Sequence, residues 1–196
     1  MYRIFKRFMD IVCSLAAMIL LSPVFAVISA AIKMDSKGPI LFKQKRVAKG
    51  KKHFKILKFR TMYADVPKDV PTHLLADPES KITKVGRFLR KSSLDELPQV
   101  WNILVGEMSI IGPRPALWNQ FDLIRERDKY GANDIRPGLT GLAQVMGRDE
   151  LPIEVKAKYD GEYARNVCLK EDVKIFFKTI FNVLSADGIK EGKREK

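Results

Sequence analysis

The sequence predicts an α/β chain that is predominantly helical, with an N-terminal membrane helix ahead of one small domain built from a short β-hairpin and amphipathic helices. Three observations carry this expectation. Residues Ile11 to Ile32 form a run of 22 uncharged positions. Two short stretches of strand composition, 40–42 and 53–59, flank a polar turn around Lys49-Gly50-Lys51, and apolar residues recur at helical spacing in several segments beyond residue 81. The 196 residues suit one compact domain, and 46% hydrophobic with 30% charged residues excludes wholesale disorder, collagen and a multi-span membrane protein. Cys13 and Cys168 have no second Cys or His at ligand spacing, which argues against a disulfide scaffold and a zinc site.

At 1.5 Å per residue the uncharged run would make a helix of roughly 33 Å, against a hydrocarbon core of about 30 Å. The basic start (Arg3, Lys6, Arg7) and the small residues Ser29, Ala30 and Ala31 resemble a signal peptide. The run, however, exceeds the usual ~7–15 apolar residues of one. From Lys33 to Lys52 there are eight Lys or Arg and one acid, Asp35, a composition held in the cytoplasm by the positive-inside rule. The N-terminal flank is basic too, so the rule asks for both ends on the same side. Pro23 has no N–H and would clash with the Ile19 carbonyl, and the Ser22 hydroxyl can serve the freed backbone. Charge and Pro23 alone leave two alternatives open, a bent re-entrant helix and an ordinary spanning one.

Gly38-Pro39 ends the helical pattern, and the two strand-like runs then form the hairpin. Residues 63–80, with Pro67, Pro71 and Pro78 among acids, read as a long loop. Ile82, Val85, Phe88 and Leu89 line one side of a basic amphipathic helix. Residues 117–129 read as a helix, 139–145 as a short extended segment and 153–165 as another helix. The last helix carries Val173, Phe176, Phe177, Ile180, Phe181 and Leu184 beside Lys170, Lys174 and Lys178. Its phenylalanines are either core or the membrane-facing side of an interfacial helix. The organisation is therefore 1–34 membrane segment, 35–186 catalytic-sized domain and 187–196 polar tail.

A net charge of +13 draws the surface to phosphates, whether of nucleic acid, nucleotide or lipid. Asp95 and Glu96 stand where a helix begins. Ser93-x-x-Glu96 fits a capping box, while Pro98 at the helix start would leave both acids just outside it, beside exposed N–H donors and able to share a magnesium ion with phosphates. Arg114 lies between two prolines and suits either bidentate phosphate contact or a plain surface turn. Arg136, Gly138, Gly141, Gln144, Gly147 and Arg148 form a glycine-rich stretch with two arginines, without Walker or Rossmann spacing. Lys58 and Arg60 close the second strand, either as phosphate ligands or as edge protection.

Gly38-Pro39 with Phe42, Gln44 and Arg46, then Lys58 to Met62, Ser93 to Gln99, Gly112 to Pro115 and Arg136 to Arg148, in that order, resemble the bacterial sugar transferase family, the monotopic polyprenyl-phosphate phosphoglycosyl transferases in their short form. Ala48 stands where the family commonly has Gly, and Met146 where Asn is usual. The resemblance implies a re-entrant membrane helix broken at Ser22-Pro23, with both ends in the cytoplasm at the inner membrane. It also implies transfer of a sugar 1-phosphate from a UDP-sugar to undecaprenyl phosphate, releasing UMP, as the first membrane step of surface glycan assembly. Asp95 would be the nucleophile and a magnesium ligand, forming a covalent aspartyl phosphosugar. Glu96 would assist proton removal or position the metal. Lys58, Arg60, Arg90, Arg114, Arg136, Gln144 and Arg148 would bind substrate, with membrane phospholipids as further partners and homo-oligomerisation left open. A nucleic-acid partner is not expected, because the basic residues are spread over separate motifs with paired acids between them and no recognition module is evident. A noncatalytic membrane scaffold gives no reason for the adjacent acids.

Overall fold

The computed structural model describes residues 1–67, 77–147 and 151–184; Arg148, the middle of the long loop and the polar tail lie outside them. The chain begins with α1 (Tyr2–Leu20) and α2 (Ser22–Asp35), bent by 61°. The break falls at Leu21, one residue before the expected Ser22-Pro23, and Pro23 occupies the first turn of α2, where its missing N–H costs nothing. The Ser22 hydroxyl donates to the Ile19 carbonyl at 2.8 Å, adding a bond at the acceptor that Pro23 cannot reach with an N–H. Among the described residues no single helix is long and apolar enough to cross a membrane, whereas this bent pair is by length and composition together.

Strands β1 (Leu41–Val47) and β2 (His53–Phe59) pair antiparallel, with Leu41 opposite Phe59 and Val47 opposite His53. The turn uses positive φ at Gly50 (66°) and Lys51 (59°). Phe54, Ile56 and Phe59 point inward. The chain continues through α3 (Lys84–Lys91), a 3-10 turn (Leu94–Glu96) and α4 (Gln99–Val105). Strand β3 (Ser109–Ile111) then pairs in parallel with β4 (Gly138–Thr140) across α5 (Phe121–Asp128). The segment 139–145, expected to be extended, divides at Gly141: its first residues lie in β4 and the rest form α6 (Leu142–Met146). Helices α7 (Ile153–Arg165) and α8 (Leu169–Leu184) complete the fold, which is mostly helical with two small sheets.

Three buried clusters hold these elements together. Ile28 and Ile32 of α2 pack with Phe59 and Leu89, so the end of the predicted membrane segment shares a core with the domain that follows. Phe54, Ile56, Ile103 and Met108 form the second cluster, and Ile111, Val145, Tyr163 and Ile175 the third. Helix α1 is fixed by polar contacts. Arg7 donates to the Ile103 and Leu104 carbonyls at 2.6 and 2.7 Å, buried Asp10 accepts from the Ile110 N–H at 3.0 Å, and Asp172 accepts from Tyr2 and Lys6, both at 2.6 Å. Among the described side chains of α8, Asp172 and Ile175 are the buried ones. Val173, Phe176, Phe177, Ile180 and Phe181 are exposed, so among the described residues the phenylalanines are not core.

Candidate active site

Three chain segments bring the acids and cations together. Lys58 comes from the end of β2, Asp95 and Glu96 from the 3-10 turn before α4, and Arg114 from the Gly112-Pro115 loop after β3. Lys58 Nζ lies 2.7 Å from Glu96 Oε1 and 3.7 Å from Asp95 Oδ2. Arg114 reaches both Glu96 oxygens, at 2.7 and 3.4 Å. Glu96 is thus clamped between two cations, while Asp95 keeps an unclamped carboxylate beside it. Arg90, in the last turn of α3, donates to Thr61 Oγ1 at 2.9 Å and adds positive potential at Asp95.

The local chain path explains this split. Ser93 adopts φ 57°, a left-handed conformation costly for a residue with a side chain, and makes no side-chain cap. Its N–H is already donated to the Arg90 carbonyl, so the capping box does not form and Glu96 turns toward Lys58 and Arg114 instead. Both carboxyls are largely buried, with side-chain exposures of 13% for Asp95 and 19% for Glu96. Burial raises the Asp95 carboxyl above its ordinary value; Lys58 opposes the rise and the Glu96 charge adds to it. Burial works on Glu96 in the same sense, but the charges and hydrogen bonds of Arg114 and Lys58 outweigh it and hold that carboxyl well below the usual carboxylate range.

Several predicted residues stand elsewhere. Arg60 is 4% exposed, and all its guanidinium donors go to the chain around the end of α2: Pro39 O, Lys37 O, Ser36 O, Ser36 Oγ and, at 3.5 Å, Ile32 O. The structure gives it the task of capping α2. Arg136 is exposed and donates to the Gly106 carbonyl, just past the C-terminus of α4, whereas the acids precede its N-terminus. Gln144 donates to the Leu139 carbonyl within its own segment. The glycines meant for ligand approach serve the chain itself. A Cβ on Gly138 or Gly141 would stand 2.1 Å from a Gly112 backbone atom, so they permit the crossing that positions the Arg114 loop.

Sequence reasoning assigned no role to Arg46, whose guanidinium donates to the Pro115 carbonyl at 3.0 Å and so fixes the Arg114 loop to β1. It also assigned none to Gln99, which is 1% exposed and whose amide nitrogen has no partner, a deficit of about 1–3 kcal/mol for a buried polar group. The signal for both was their place within motifs already singled out.

A magnesium ion fits the donor set in one way only. Among the described residues no group of three His, Cys, Asp or Glu converges, and Glu96 is taken up by its cations. Of the two acids described at the site, Asp95 alone has oxygens that accept no hydrogen bond, which matches an ion held by one carboxylate together with substrate phosphates and water.

A sequence model of bacterial sugar transferases matches residues 1–186. The UDP-N-acetylgalactosamine-undecaprenyl-phosphate N-acetylgalactosaminephosphotransferase of Aeromonas hydrophila is 40% identical over 95% of this chain and 45% of its own length. The UDP-glucose:undecaprenyl-phosphate glucose-1-phosphate transferase of Klebsiella pneumoniae is 40% identical over 91% of this chain and 40% of its own length. The chain therefore spans less than half of these relatives. It covers 83% of the exopolysaccharide production protein ExoY of Sinorhizobium fredii, at 36% identity over 89% of the chain.

Proposed function

Because the chain belongs to the bacterial sugar transferase family, we propose that it transfers a sugar 1-phosphate from a UDP-sugar to undecaprenyl phosphate at a membrane surface. The observation that carries this reading is the division of labour between adjacent acids: Glu96 neutralised by Lys58 and Arg114, Asp95 unclamped in the same positive field. An Asp95 carboxylate oxygen attacks the sugar-linked phosphorus, forming a P–O bond to the side chain as the bond to the UMP oxygen breaks. In the second half, an oxygen of the lipid phosphate attacks the same phosphorus and the Asp95 oxygen leaves, giving the lipid diphosphate sugar and restoring the carboxylate. Lys58, Arg90 and Arg114 neutralise charge on the phosphates in both halves. Glu96 holds the Lys58 ammonium and the Arg114 fork in place. Magnesium, held by Asp95 and the diphosphate when bound, supplies the remaining neutralisation.

The membrane arrangement supports the same reading. The bend between α1 and α2, with its proline and serine, suits a segment that enters and leaves on one face, with both ends cytoplasmic. The exposed phenylalanines of α8, flanked by Lys174 and Lys178, suit an interfacial helix among phospholipids. The test is UMP release from a panel of UDP-sugars, with and without magnesium and undecaprenyl phosphate, together with intact-mass detection of a phosphosugar adduct. Asp95→Asn is expected to abolish both release and adduct while leaving the fold intact; substantial residual turnover in that variant refutes the covalent role.

A further inference from the structure

The Arg114 side chain is 40% exposed, so packing alone does not fix the fork that meets Glu96 at 2.7 and 3.4 Å. Its placement depends on the loop that carries it. Pro113 and Pro115 flank it and have no N–H, which leaves carbonyls to anchor the loop at these two positions. The Pro113 carbonyl accepts from the Gly138 N–H of β4, and the Ala116 carbonyl from the Val47 N–H of β1, both at 2.9 Å. Between them, the Pro115 carbonyl accepts from Arg46 Nη1 at 3.0 Å. Of these three links, only the one at Pro115, the residue after Arg114, is made by a side chain. Arg46 is itself aimed by a neighbour. Residues two apart on a strand share a face, and Gln44 Oε1 accepts from Arg46 Nη2 at 2.6 Å and from Nε at 3.1 Å. Both donors lie on one edge of the guanidinium plane, so this grip turns the remaining amino group, Nη1, onto Pro115. Gln44 is buried and gives the grip a fixed base.

We propose that Gln44 and Arg46 are positioning residues for Arg114: Gln44 orients the Arg46 guanidinium, which ties down the Pro115 carbonyl and so sets where the Arg114 fork meets the phosphates. The proposal rests on the reading of Arg114 as a phosphate ligand. A fork is more exacting than a point charge, because its N–H groups must meet two oxygens at once. A small displacement of the loop therefore costs an arginine at this position more than it would cost a lysine. Arg46 acts through a backbone carbonyl, so its effect on the reaction passes through Arg114 and disappears when the fork does.

Arg46→Met removes the link at Pro115. In the full chain reconstituted with lipid and undecaprenyl phosphate, kcat/KM for UMP release from the UDP-sugar that the chain accepts is expected to fall by about tenfold. The discriminating measurement is the double variant. In an Arg114→Lys background the same substitution is expected to cost less than about twofold, since the fork it positions is gone. Gln44→Leu keeps Arg46 but removes its orienting acceptor, and serves where Arg46→Met fails to fold. It is expected to lose about threefold to fivefold, again only while Arg114 is present. A wild-type kcat/KM in either folded variant overturns the proposal. So do losses of equal size in the two backgrounds, which mark residues that merely support the fold. Arg114→Lys alone at the wild-type rate overturns the phosphate-ligand reading and the proposal with it, and is distinguishable because that single variant displays it.

Discussion

Arg60→Lys separates a structural arginine from a substrate-binding one. The Arg60 guanidinium makes five hydrogen bonds around the C-terminal end of α2, four of them between 2.7 and 2.9 Å. Lysine has three N–H donors, so at least two acceptors lose their partner even if the ammonium reaches the cage. At about 1.5–3 kcal/mol for each hydrogen bond to a charged group, the loss is about 3–6 kcal/mol before neighbouring groups relax. Taking the lower figure, a chain of this size should melt roughly 6–12 °C lower. The assay is thermal unfolding followed by the fluorescence of Trp101 and Trp118 in lipid nanodiscs, alongside KM for the UDP-sugar. Arg87→Lys is the control: its side chain is 70% exposed and only 3.9 Å from Glu79, and an exposed pair of this kind contributes about 1 kcal/mol or less. An unchanged melting temperature with a markedly raised KM would show that Arg60 leaves its cage for substrate, and would refute the capping role.

Arg114→Lys retains the charge beside Glu96 but loses the planar fork, so activity should fall at least about tenfold with a small change in melting temperature; near-wild-type turnover would mean that the 40% exposed side chain pairs with Glu96 without contacting the phosphates. Because the Asp95 carboxyl is raised, it remains protonated to a higher pH than an ordinary aspartate, and single-turnover adduct formation should fall off on the acid side with a midpoint above 3.8. Glu96 acts in the opposite sense: its lowered carboxyl contributes stability that is full above its ordinary value of 4.5 and is lost as the pH falls further, so Glu96→Gln should flatten acid unfolding in that window. For topology, Arg3→Cys and Lys37→Cys in a background without Cys13 and Cys168 should both resist an impermeant thiol reagent outside intact cells and react after lysis; labelling of position 3 alone would show a straight span.

The parts of the fold that were legible depend on local chemistry. Pro23 and Ser22 announce the bend because both the clash and its remedy lie within four residues. Strand β2, α7 and the course of α8 follow from periodicity over seven or more positions, whereas only 40–42 reads as the first strand, which runs over Leu41–Val47. What stayed hidden depends on distant partners. The three-residue strands β3 and β4 are too short to show a period, and they meet only because glycines let Gly112 and Gly138 approach. Lys58, Arg60, Arg90, Arg114 and Arg136 are alike as sequence features, each a cation near a turn or strand end. The fold sorts them by what surrounds each: two meet at Glu96, one adds its charge at Asp95, one enters a cage of carbonyls and one stands beyond the far end of α4. The capping box failed for a similar reason, since only the left-handed Ser93 turn decides where the Glu96 side chain points.

The two arms of the bent helix pair are each fastened by one arginine to an element that builds the site. Arg7 of α1 grips the carbonyls at the C-terminus of α4, whose N-terminal side follows directly on Asp95 and Glu96. Arg60, just past β2, grips the C-terminal end of α2, two residues beyond the lysine that pairs with Glu96. In both cases a guanidinium meets the negative end of a helix, a favourable arrangement that also restrains orientation. At about 1.5 Å per residue, the seven-residue α4 holds the acids roughly 10 Å from the point where α1 is fixed. Asp172 joins α8 to the start of α1 through Tyr2 and Lys6, so the exposed apolar rows of both helices are set relative to one another as well. A reaction between a water-soluble donor and a lipid phosphate requires the nucleophile at one height above the bilayer. In the proposed membrane arrangement, the buried arginine and the polar clasp of α1 set that height, which accounts for the commitment of these charges to backbone and carboxylate partners.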